Sequence, residues 1–157
     1  MSKKIKIGLF KSITKIDVKN GEMTLQQRIM LGEIISSGKH PGVILEECMI
    51  CLHNYRPKIK ELKYLTDYLS EIIEGLNDIS HKESLLVYEP LVSEMARYEC
   101  VNGLSDKSRI NGLLSTLAER ENKSIIEILS MKYSDYFNIL KCDNELFNTR
   151  NKQILEN

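Results

Sequence analysis

Four cysteines in 157 residues, at positions 48, 51, 100 and 142, are too few and too scattered for a disulfide framework, and they suit a reducing compartment. Net charge is also missing: 22 basic side chains stand against 22 acidic ones. Without an overall positive field, binding to nucleic acid or to a membrane surface is disfavoured. No apolar run approaches the ~20 residues that cross a bilayer. The start, MSKKIKIGLFKSITK, is basic, but lysines interrupt it wherever a secretory signal needs an apolar stretch, so the cytoplasm is the expected compartment. Proline and glycine form no linker, and there is no internal repeat. The chain also lacks G-x-S-x-G, a Walker loop and G-x-G-x-x-G. Acidic pairs such as Glu46/Glu47 and Glu71/Glu74 fall on the polar sides of helices rather than in an apolar pocket suited to acid–base work. Neither an enzyme nor a cofactor is expected.

What is present is ordinary globular composition, 42% apolar and 28% charged, in a chain long enough to bury a core without staples. Residues 1–20 form a basic arm with six lysines against Asp17 alone. Ile5, Ile7 and Leu9 alternate there, and Ile16 and Val18 repeat the spacing, which predicts one or two short strands. An isolated hairpin is marginal, so the arm must lean on the body or on a partner. Its lysines protect a strand edge, or the strand is offered to a partner, with phosphate binding as the alternative.

From residue 21 onward the pattern is helical. Thr24-x-x-Gln27 is a capping box, with Gly38 as the stop. Pro41 opens a second helix carrying Ile44, Leu45, Cys48, Met49, Cys51 and Leu52. A long amphipathic helix is expected from about Ile59 to Ile79, with Leu62, Leu65, Tyr68 or Leu69, Ile72 or Ile73, and Leu76 on its stripe. Pro90 opens another helix, residues 106–120 form the next, and a short one carries Ile125, Ile126, Ile128 and Leu129. Ser134 is expected to cap the last. The expected fold is all-α: an irregular bundle of about six to seven helices over residues 21–157, one domain, preceded by a short β-like arm.

Cys48-x-x-Cys51, with His40 and His53 nearby, raises zinc and redox chemistry. A structural zinc site needs four spaced ligands, and the other two cysteines stand alone. A redox pair wants its first thiol at a helix N-terminus, whereas these sit toward the C-terminal half of theirs. Both thiols fall on one helix face, as core packing requires, so burial is the expectation and no metal site is assigned. The stretch LSTLAERENKSIIEILSMKY has helix-turn-helix spacing, but Asn122 replaces the usual glycine and KSIIEILSMKY is poor in residues that reach base edges.

Two further expectations concern particular side chains. Arg28 can bury its stem and fork a carboxylate, and an ion pair with Glu89 is expected. Tyr133, Tyr136, Phe137 and Leu140 cover more than one helix face, so the last helix, with Phe147 and Arg150 in its basic end, is either a partner-binding surface for another protein or a second copy of this chain, or a central element wrapped by the core on both sides.

Several blocks, MTLQQRIMLGEI (23–34), CLHNYRP (51–57), YLSEIIEGLNDISHKESLLVYEP (68–90), IIEILSMKYSDYFNIL (125–140) and FNTRNKQ (147–153), together resemble a family of small helical proteins encoded by phages and prophages of gut Bacteroidales, some of them tail assembly chaperone-like. The matching positions are Leu25, Gln27, Arg28, Leu31, Gly32, Ile72, Ile73, Gly75, Tyr88, Glu89, Pro90, Leu129, Tyr133, Phe137, Leu140 and Arg150. The chain departs from the family at ENKS (121–124), at Met131 and in its basic arm. The resemblance implies a non-enzymatic morphogenesis protein of the host cytoplasm that binds another phage protein, such as a tape-measure or tail subunit. Alternatives are a structural component, at the head–tail junction or inside the particle, and a small DNA-binding regulator.

Overall fold

The computed structural model describes residues 3–8, 11–87, 114–115 and 117–142. The chain is mostly helical, with a two-stranded sheet at its N-terminus. It divides into two compact units, Met1–Ile79 and Ser80–Asn157. The boundary lies within one helix, a division not drawn by the sequence expectation of a single helical domain over 21–157.

In the first unit, β1 (Lys4–Lys6) pairs antiparallel with β2 (Ser12–Thr14), placing Ile5 opposite Ile13. Ile5 and Ile7 are buried while Lys4 and Lys6 are exposed, so the period-two pattern is that of a half-buried strand. The second strand lies earlier than Ile16 and Val18 suggested. Asp17 accepts hydrogen bonds from the Asn20 backbone at 3.1 Å and the Asn20 amide at 2.7 Å, and Gly21 turns at φ +71°. That side-chain-built turn competes with strand pairing.

The helix α1 (Leu25–Ser36) starts at its capping box. The Thr24 N–H donates to Gln27 Oε1 at 2.9 Å and the Gln27 N–H to Thr24 Oγ1 at 3.2 Å. Its end is followed by Gly38 at φ +69°. The helix α2 (Pro41–His53) has proline in its first turn and stops at Asn54, which is left-handed at φ +49°. Leu25 and Leu31 from α1 are buried with Leu45, Cys48, Met49 and Leu52 from α2, each large aliphatic contributing about 1.5–3 kcal/mol by leaving water.

The helix expected from Ile59 is two helices, α3 (Ile59–Leu62) and α4 (Thr66–Val87). Between them the N–H groups of Tyr64 and Leu65 bond three residues back, to Glu61 and Leu62, and the Thr66 hydroxyl takes the Leu62 carbonyl at 3.3 Å. The two successive three-residue bonds are a tighter 3₁₀-type turn that interrupts the α-helical ladder. Ile59, where the long helix was expected to begin, is 90% exposed. Of the expected stripe, Leu65, Tyr68, Ile72 and Leu76 are buried, while Leu62, Leu69 and Ile73 are half-buried; Ile79 is buried as well.

In the second unit Leu114, Leu117 and Ala118 are buried and residues 117–121 are helical. Asn122 turns the chain at φ +51°, and Ser124 caps α5 (Ile125–Ser130), accepting the Glu127 N–H at 3.3 Å. Residues 133–142 form a further helix. It starts before Ser134: the Lys132 carbonyl accepts the N–H groups of Asp135 and Tyr136, both at 3.1 Å. The helix expected after Pro90, with Leu91, Met95, Tyr98 and Val101, lies outside the described residues.

Candidate functional site

The thiols of the C-x-x-C are free, Cys48 fully buried and Cys51 half-buried. Burial, with smaller contributions from Cys51 and Glu47, pushes the Cys48 thiol up to about 12, and burial raises Cys51 as well. A metal ligand or redox nucleophile needs the thiolate, which this environment disfavours. The Cys51 S–H instead donates to the Gln27 carbonyl at 3.8 Å, while Gln27 Nε2 donates to the Cys51 carbonyl at 3.0 Å, so the pair fastens α2 to α1. His40 accepts the Gly42 N–H at 3.2 Å as the N-cap of α2. His53 faces Tyr68, with Nε2 3.0 Å from its hydroxyl. Among the described residues, no three histidine, cysteine or acidic side chains are grouped to hold a metal.

Sequence reasoning missed the node at Tyr68. Its hydroxyl accepts the Ile16 N–H at 3.0 Å and lies 3.0 Å from His53 and 3.3 Å from the Ile16 carbonyl, so its single proton serves the imidazole or the carbonyl according to the histidine tautomer. Burial raises Tyr68 to about 12 and lowers His53, keeping both neutral near pH 7. Alongside, Lys15 reaches both oxygens of Glu71 at 2.5 and 2.7 Å, and Lys19 meets Asp78 at 2.7 Å. A groove of about 580 Å³ runs here, between residues 15–22 and α4. The one signal for this contact was Gly75, an isolated glycine inside a helical pattern, which marks a close backbone approach. A Cβ there would stand 2.8 Å from the Lys19 nitrogen.

The aromatic helix is the stronger candidate for binding. Tyr133, read from sequence as part of either a partner-binding surface or a centrally packed helix, is only 3% exposed, and its hydroxyl donates to Glu83 Oε1 at 2.7 Å. That long-range bond satisfies the polar tip and lets the ring go inside. Tyr136 and Phe137 stack around it with ring centroids 6.0 and 6.1 Å away, and both remain half-buried, as does Leu140. Phe147 and Arg150 lie outside the described residues. On α5, Ile128 is fully buried while Ile125 is 46% and Ile126 75% exposed. Two of its isoleucines are thus left to water, and the sequence alone had not separated them from the inward one.

Arg28 is half-buried and folds back along its own helix, where a Cβ on Gly32 would lie 3.1 Å from Nη1. Its expected partner, Glu89, lies outside the described residues. No helix among the described residues is long and apolar enough to cross a membrane. No protein-family model, curated protein or solved structure matches the chain.

Proposed function

We propose that this chain is a non-enzymatic phage assembly protein, tail assembly chaperone-like, that holds an apolar segment of another phage protein, a tape-measure protein or tail subunit, in the host cytoplasm. The observation that carries the reading is the exposed pair Ile125 and Ile126, followed closely in sequence by the half-buried Tyr136, Phe137 and Leu140. Isoleucine on a helix surface gains nothing from water, and an adjacent exposed pair offers apolar area that another chain can cover. The family resemblance of blocks 23–34, 51–57, 68–90, 125–140 and 147–153 supports the same reading.

A DNA-binding regulator is the second reading, favoured by one feature. Asn122 takes the left-handed conformation that a helix-turn-helix turn requires, between helical residues 117–121 and α5. The helix that follows argues the other way, because it exposes isoleucines where base readout needs hydrogen-bonding side chains. Quantitative mass spectrometry of purified particles tests the proposal. A chaperone is made during infection and left behind, so the protein is expected in the infected lysate and absent from particles. A fixed copy number per particle would replace the chaperone reading with that of a structural component.

A further inference from the structure

Among the described residues, the basic arm holds more positive charge than its contacts use. Lys15 and Lys19 are paired with Glu71 and Asp78, and the Lys11 ammonium lies 4.0 Å over the Tyr55 ring. Lys4 and Lys6 are exposed, and among the described residues no acid pairs with either. Both sit on β1, whose only strand neighbour among the described residues is β2.

In an antiparallel pair, residues alternate between bonding the opposite strand and turning their backbone groups away from it. The Lys15 N–H bonds the Lys3 carbonyl at 2.8 Å and the Ile7 N–H bonds the Lys11 carbonyl at 2.9 Å. That puts residues 3, 5 and 7 in the bonded set, so the N–H and C=O groups of Lys4 and Lys6 point to the outer edge of β1. The same edge therefore offers a row of backbone donors and acceptors and two ammonium groups that no acid among the described residues compensates.

The chemistry of that edge selects its occupant. A second copy of β1 would lay lysine against lysine, and like charges directly opposite destabilise a pair. A nucleic-acid strand would answer the charge but has no peptide groups to continue the ladder. An extended peptide with acids at alternate positions answers both, because residues two apart along a strand stand about 6.8 Å apart on one face, the spacing of Lys4 and Lys6 themselves. We infer that the outer edge of β1 takes an extended acidic segment of a partner protein as a third strand, pairing its backbone with Lys4 and Lys6 and its carboxylates with their ammonium groups.

Full-length protein titrated with a blocked Glu-Thr-Glu-Thr-Glu-Thr-Glu peptide tests this, with a thymidine oligonucleotide of equal charge as the second arm. The peptide is expected to bind more tightly than the oligonucleotide and to weaken about tenfold between 0.05 and 0.5 M salt. It should also slow hydrogen exchange of the Lys4 and Lys6 amides by about tenfold or more, as ladder bonds do. K4T/K6T, which keeps strand propensity and alters only exposed side chains, should weaken peptide binding about tenfold with an unchanged far-UV circular dichroism spectrum. No peptide binding, equal or tighter oligonucleotide binding, or peptide binding without slowing of those two amides would overturn the inference.

Discussion

A methyl group at position 75 would meet the Lys19 backbone nitrogen at 2.8 Å and two Val18 carbons at 3.2 Å. Alanine gains about 1 kcal/mol over glycine in a helix interior, but here it pushes against backbone, and overpacking of that kind costs about 1–3 kcal/mol. Gly75→Ala is expected to lower stability by roughly 1 kcal/mol on balance, read as a lower urea midpoint at unchanged slope; a raised midpoint would mean that the arm leaves α4 freely. The neighbouring node adds a pH dependence. His53 is held below its ordinary value of 6.5 by burial, so the unfolded chain binds a proton that the folded one resists. Stability is therefore full above pH 6.5 and falls as pH drops from there toward the lower folded value. Urea midpoints at pH 7.5 and 5.5 should differ less in His53→Gln than in the parent, and an identical difference would remove His53 as the cause.

At the scale of elements, the parts legible in the sequence are those whose cause is local. The capping box of α1 and the proline that opens α2 each lie within a few residues of the boundary they set. Thr24→Ala is accordingly expected to cost about 1 kcal/mol, measured by chemical denaturation, and no loss would mean that the bond to Gln27 is dispensable. The break between α3 and α4 was not legible, because Leu62, Leu65 and Tyr68 keep helical spacing straight through it. The break is made by hydrogen bonds that carry no apolar signature: the Tyr64 and Leu65 N–H groups bond three residues back, and Glu61 accepts from the Lys58 N–H at 2.8 Å and from the Tyr55 hydroxyl. Likewise, nothing near Tyr133 in sequence announces a bond to Glu83, fifty residues away. The pattern found the aromatic helix and left open which of its rings goes inside.

For the whole molecule, the all-α fold with a short β arm was readable from periodicity alone, since the strand alternation and the helical stripes have different periods. The division at Ile79/Ser80 was not, because it falls within an unbroken helix and no composition shift marks it. The two units also differ in what they present. The first carries a lysine-edged hairpin strapped to α4, and the second carries exposed isoleucines and, further along the sequence, half-buried aromatics. A chaperone for an apolar segment depends on the second. The most direct measurement is co-expression of the full-length chain with the tape-measure protein of the same genome, followed by the soluble fraction of that protein and its co-purification. The account predicts a soluble complex with the parent chain. It predicts at least about a tenfold loss of complex with Ile126→Asp, a change at a 75% exposed position in the first turn of α5, where an acid suits the helix dipole and the fold is kept. A tape-measure protein that stays insoluble beside the parent chain, or that binds Ile126→Asp equally well, would contradict it.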